Sequence, residues 1–141
     1  IMKRLSDFHM NACIFVDHND IEKYPEYVVA AVTCGFEIGI SSADSDEVSR
    51  TNAALYDLVK IRTHLVMGES TDPCLTGVQT DINRSDYTSD GEYIAANLEL
   101  EDSVIFVDGT VDSSQLILVI YNEIVEKGDV SCERFGVAYE K

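Results

Sequence analysis

One tetrapeptide occurs twice, as Ile14-Phe15-Val16-Asp17 and as Ile105-Phe106-Val107-Asp108. Each copy closes a run of β-branched and aromatic residues, the composition of a buried strand. The first copy continues through Tyr24-Pro25, with proline suited to a first helical turn. Val28, Val29 and Val32 follow, then Gly35 and a strand over 36–41. The second continues through Asp112, an N-cap with Gln115 three residues on, to Leu116, Ile120, Ile124 and Gly128, then a strand over 132–139. Both halves read as strand, helix, strand. A strand must bury a face against another layer, so two such units restrict the chain to layered folds of helices on a sheet.

Between the halves, Asp44 and Glu47 have capping-box spacing. Val48, Leu55, Leu58, Val59, Arg62, Leu65 and Val66 then follow helical spacing up to Gly68. This pattern predicts one amphipathic helix of about twenty residues. Residues 68–92 are polar, with a strand-like patch at 75–82, and a connection that long is partly structured or functional. Residues 93–100 fit either a helical turn or a strand. The expected fold is a single α+β domain over 1–141. It has a four- or five-stranded mixed sheet, about three helices packed on it, and two strand-helix-strand units. A doubly wound parallel sheet is the second choice.

Charge narrows the function. The 141 residues hold 26 acidic and 10 basic side chains, a formal charge of −16. A domain that neutralises phosphates needs a Lys/Arg surplus, so nucleic acid and anionic membrane are poor ligands. Residues 63–126 carry 13 acidic residues against one basic, Arg84, so 1 − 13 gives −12; the rest of the chain carries 9 − 13, or −4. Such asymmetry makes one negative region suited to steering a cationic partner. The longest apolar run, 116–121, falls far short of the roughly 18–20 residues that span a bilayer. Lys3 and Arg4 are followed by Ser6, Asp7 and His9 where a secretory leader would be apolar. Cys13, Cys34, Cys74 and Cys132 are widely spaced, without the C-x-x-C or Cys/His pairing of a zinc site. A reduced, cytoplasmic setting is the simplest expectation.

Several partial motifs carry chemistry. Val104-Ile105-Phe106-Val107-Asp108-Gly109-Thr110 resembles the first motif of the haloacid-dehalogenase phosphatases, in which a strand ends in Asp-x-Asp-Gly-Thr. Phe106 stands where that family has its nucleophilic aspartate, so the resemblance implies no covalent phosphoryl transfer, and Asp108-Gly109 reads as a turn. Residues 81–92 put oxygen-bearing side chains at positions 1, 3, 5, 9 and 12 of an EF-hand-like loop, with Asp86 where the sharp turn wants glycine. A solvated acidic loop is the simpler reading. His9, His18 and His64 lie on no common helical face, and His18 reads as a loop residue after a strand. No G-x-S-x-G elbow or phosphate-cradling glycine loop is present. No metal or cofactor is expected on these grounds.

Two functions follow. The first is an acidic inhibitor or immunity-type protein, not an enzyme, that neutralises a basic partner such as a nuclease toxin. Asp81, Asp86, Asp90 and Glu92 would pair with cations there, and Tyr87 and Tyr93 would supply rigid contact area. The alternative is a small-ligand protein, sequestering a nucleotide or sugar, or a weak enzyme. Its site would lie at the ends of the two repeated strands, with Asp17 and Asp108 as its polar groups.

Overall fold

Four short runs of apolar residues pair into one sheet: β1 Cys13–Val16, β2 Glu37–Ile40, β3 Leu65–Met67 and β4 Thr76–Val78. The computed structural model describes residues 2–8, 10–80, 82–100, 103–105, 113–128 and 135. Strand order is β1-β2-β3-β4 and every pairing is parallel, with Cys13 opposite Glu37 and Val16 opposite Ile40. The expected mixed sheet is therefore corrected to an all-parallel α/β sheet. The physical reason lies in the connections. From the carboxyl end of β1 the chain returns through two helices, α2 His18–Lys23 and α3 Pro25–Thr33, before β2; α4, Ser45–Val59, separates β2 from β3. Such crossovers force parallel pairing, and because each strand adds beside its predecessor, their common right-handedness puts α2, α3 and α4 on one face.

The central strand explains the packing. All four residues of β2 are buried, as a parallel strand covered on both faces requires. Ile40 clusters with Val48 of α4 and Val66 of β3. Phe15 lies opposite Gly39, and a Cβ added at Gly39 would meet the Phe15 ring at 2.6 Å, so only glycine leaves that ring its place. At the end of α3, Gly35 has φ +84; its N–H donates to the Val32 carbonyl at 3.1 Å and the Phe36 N–H to the Ala31 carbonyl at 3.0 Å. This Schellman arrangement turns the chain into β2.

The predicted twenty-residue helix ends earlier than its spacing suggests. Lys60 adopts φ +62 and caps α4, and the apolar residues beyond it divide between a buried Ile61 and β3. Asn52 fixes that exit: its amide nitrogen donates to the Thr63 carbonyl at 3.1 Å, and its carbonyl accepts from the Thr63 N–H at 3.0 Å.

The chain divides into two compact units. The sheet unit comprises 11–79 with 133–141, and the other comprises 1–10 with 80–132. In the second unit, α1 Met2–Asp7, α5 Asp90–Leu98 and α6 Ser113–Lys127 pack together around Leu5, Tyr93, Ile94, Ile117 and Ile120. Phe8 stacks on Tyr121 with centroids 4.3 Å apart, and the Lys127 ammonium donates to the Leu98 carbonyl at 2.9 Å. Six α-helices are thus present among the described residues, where about three were expected. Of the second IFVD copy only Ile105 is described, outside any strand; its companions, and the strand expected at 132–139, lie outside the described residues.

Candidate functional site

Parallel strands bring all their carboxyl ends to one edge of the sheet, where ligands of such folds bind in the crevice beyond the strands. Here that edge carries two helix starts. Asp17 follows β1 as the N-cap of α2: its Oδ1 accepts from the Asp20 N–H at 2.8 Å, and Asp20 Oδ2 accepts from the Asp17 N–H at 3.1 Å. This reciprocal box fixes how the chain leaves β1. His18 is therefore the first residue of a helix and not a loop residue. After β2, the Ser41 N–H donates to the Val16 carbonyl at 2.9 Å, Ser42 Oγ accepts from the Asp44 N–H, and Asp44 caps α4 by accepting from the Glu47 N–H at 3.2 Å.

Because α2 and α4 start beside each other, Glu47 reaches across. Its Oε2 lies 3.0 Å from His18 Nδ1, and the two side chains are 32% and 23% exposed. The expected capping-box carboxylate of Glu47 is thus engaged with a histidine 29 positions away. Arg50 stands 4.0 Å from the other Glu47 oxygen, an exposed contact of little energetic weight. A partly buried imidazole held through Nδ1 by a carboxylate has its ring orientation fixed, an arrangement that general bases use.

The opposite end of the sheet has another character. Glu37 opens β2 only 1% exposed, and its Oε1 accepts from the Phe135 N–H at 2.7 Å. Burial, reinforced by the negative charge of Glu37, pushes the Cys13 thiol from 9.0 up to about 12. Nucleophilic attack needs a thiolate, so Cys13 is inert at neutral pH.

The other residues singled out from sequence lie mostly in one local stretch of the other unit. Asp86 belongs to a single 3₁₀ turn, Arg84–Asp86, whose N-cap is Asn83. Asp90 is already paired, accepting from Arg84 Nε at 2.8 Å, while another Arg84 nitrogen donates to the Tyr87 carbonyl at 2.9 Å. Glu92 accepts from Thr88 Oγ1, and Tyr93 is 3% exposed, in the core of its unit beside Tyr87. Asp81 and Asp108 lie outside the described residues. Among the described residues no three His, Cys, Asp or Glu side chains converge as a metal ion requires, and no helix is long and apolar enough to cross a membrane. Cys13, Cys34 and Cys74 are free thiols.

The His18–Glu47 pair escaped sequence reasoning because the partners lie far apart in the chain. A signal existed: Asp17-x-x-Asp20 and Asp44-x-x-Glu47 are two caps, each directly after a strand. Pairing those strands in parallel juxtaposes the caps.

No protein-family profile and no curated protein sequence matches the chain. Solved structures do share its fold. The peptidoglycan deacetylase PdaC from Bacillus subtilis is 15% identical and superposes with a TM-score of 0.71 over 89% of this chain and 75% of its own. The Bc1960 peptidoglycan N-acetylglucosamine deacetylase, solved with 4-naphthalen-1-yl-N-oxidanyl-benzamide, is 18% identical, with a TM-score of 0.72 over 94% of this chain and 82% of its own. These likenesses correct the expectation of an acidic inhibitor or immunity-type protein that neutralises a toxin and is not an enzyme. The fold is one that deacetylases use, and the small-ligand alternative agrees with it better.

Proposed function

We propose that this chain is a deacetylase-like domain that acts on an N-acetylated glycan at the carboxyl ends of β1 and β2. The observation that carries this reading is the fold, shared with two peptidoglycan deacetylases over about nine tenths of the chain. The His18–Glu47 pair at that edge supplies fitting chemistry. Removal of an acetyl group by water needs a nucleophilic oxygen and a proton for the departing amine, roles that a metal ion or a general base can fill. The side chains described at this edge can supply the proton-transfer part of it.

With Glu47 accepting from Nδ1–H, His18 Nε2 takes the proton from the attacking water as its oxygen bonds to the acetyl carbonyl carbon. The same proton passes to the amine nitrogen as the C–N bond breaks, giving acetate and the free amino sugar. Glu47 is a positioning residue that fixes the imidazole tautomer and ring orientation. Asp17, retained from the small-ligand alternative, holds the first turn of α2 and with it His18.

The test is acetate release from peptidoglycan and from N-acetylglucosamine oligomers by the purified chain. His18→Gln should lower kcat by about 100-fold or more, the usual range for losing a general base. Glu47→Gln, which keeps the shape and loses the carboxylate that holds Nδ1, should lower kcat and leave KM unchanged. Neither turnover nor binding of any N-acetylated glycan by the wild-type chain would overturn the proposal.

A further inference from the structure

The helix that begins at His18 ends in an exposed aromatic pair. Tyr24, which closes α2 and precedes Pro25, is 43% exposed, and Tyr27 in the first turn of α3 is 59% exposed. Their rings meet edge to face at 6.0 Å and 66°, and the Lys23 ammonium stands 5.5 Å from the Tyr24 centroid. Exposed aromatic residues scattered singly need no explanation. These two rings pack on each other at one corner of the fold. Other described tyrosines are covered: Tyr93 is buried, Tyr87 is half-buried beside it, Tyr121 stacks on Phe8, and Tyr56 lies under Arg62 at 4.0 Å.

The topology sets where this corner lies. α3 must run back from the carboxyl edge of the sheet to the start of β2, so its first turn is the part nearest that edge. α2 has six residues, a rise of about 9 Å from His18 to the pair. That span suits a short oligosaccharide reaching from one to the other, and one sugar ring cannot fill both positions. The C–H faces of a pyranose are apolar and its rim is hydroxylated. An aromatic ring beside an ammonium with three donors offers a counterpart to each.

The geometry points to Tyr24, Tyr27 and Lys23 as a distal subsite that stacks a sugar ring of a glycan chain whose acetyl group is presented to His18. This rests on the glycan reading above and adds a dependence on chain length. Occupation of the subsite by a longer chain lowers KM and leaves the chemistry at His18 unchanged.

The experiment compares the β-1,4-linked N-acetylglucosamine dimer and hexamer as substrates of the full chain, the Tyr24→Ala/Tyr27→Ala variant and the Tyr24→Phe/Tyr27→Phe variant. The alanine pair should raise KM for the hexamer about fivefold to tenfold, the scale of lost aromatic stacking. Dimer kinetics and kcat should stay as in the wild type, and the phenylalanine pair should restore the hexamer KM. Wild-type KM for the hexamer in the alanine variant, or an equal rise for both lengths, overturns the subsite and leaves the deacetylase reading standing. Should the wild-type chain turn over neither oligomer, amide NMR shifts on titrating the hexamer decide the subsite separately from the deacetylase reading. Shifts centred on residues 23–27 uphold it, and their absence overturns it.

Discussion

The two ends of one sheet treat their acidic residues in opposite ways. At the amino end, Glu37 is sealed in the interior with its oxygen on a backbone N–H, beside a thiol held protonated. At the carboxyl end, Asp17 and Glu47 stay partly exposed, one capping a helix and the other holding a histidine. A buried carboxylate is tolerable only when its acceptor positions are filled, which locks its surroundings. A half-exposed one can exchange partners with substrate and water. The same kind of side chain therefore is locked into architecture at one edge and left open to solvent at the other.

Substitutions can break this contrast, beginning with the largest expected effect. Glu37→Ala removes the acceptor of the Phe135 N–H and leaves a cavity beneath β2. It should lower unfolding free energy by about 2–4 kcal/mol in a urea titration; a change below about 0.5 kcal/mol would show that the amino end is not locked. Cys13 sharpens the same end through pH. Below pH 9.0 its thiol is protonated in folded and unfolded chains alike and contributes nothing. Between 9.0 and about 12 the unfolded chain releases a proton that the folded chain retains, so stability falls as pH rises, by at most about 1.4 kcal/mol per unit. Cys13→Ala should flatten that alkaline loss, and thiol reagents should label the exposed Cys34 and Cys74 first.

At the carboxyl end the energetic effects should be smaller. Asp17→Ala deletes the α2 cap and should cost about 1 kcal/mol in thermal or urea unfolding, while Asp17→Asn, which keeps an acceptor, should retain most of it. His18→Gln should alter stability by no more than about 0.5 kcal/mol, while the proposed mechanism expects it to remove most acetate release. Equal destabilisation by His18→Gln and Glu37→Ala would erase the distinction between the ends.

Sequence alone located β1 and β2 to within a residue or two, because their β-branched cores are bounded by Asp17 and Gly35. It also found Asp44 as a cap. It ran α4 into β3 because Ile61, Leu65 and Val66 continue the helical spacing and no glycine or proline marks the break at Lys60. It missed α2, whose six residues bury only Ile21 and give no periodicity to detect. Parallel pairing was hidden by the shortness of the strands and by Glu37, a charge where a buried strand should read apolar. The site was legible only in part. Asp17 was singled out for its place after a strand, whereas His18 gains a partner only when two distant helix starts meet.

The strand order β1-β2-β3-β4 bears on how such a chain assembles. Among the described strands none is inserted between two earlier ones, and Cys13 pairs with Glu37 across a separation of 24 positions, 37 − 13. Loop-closure entropy grows slowly with length, so each of these strand pairings needs only the strand laid down before it, while the Phe135 contact on Glu37 comes last. During synthesis the sheet can grow in the order in which its residues leave the ribosome, with the His18–Glu47 edge complete once the first turn of α4 has emerged.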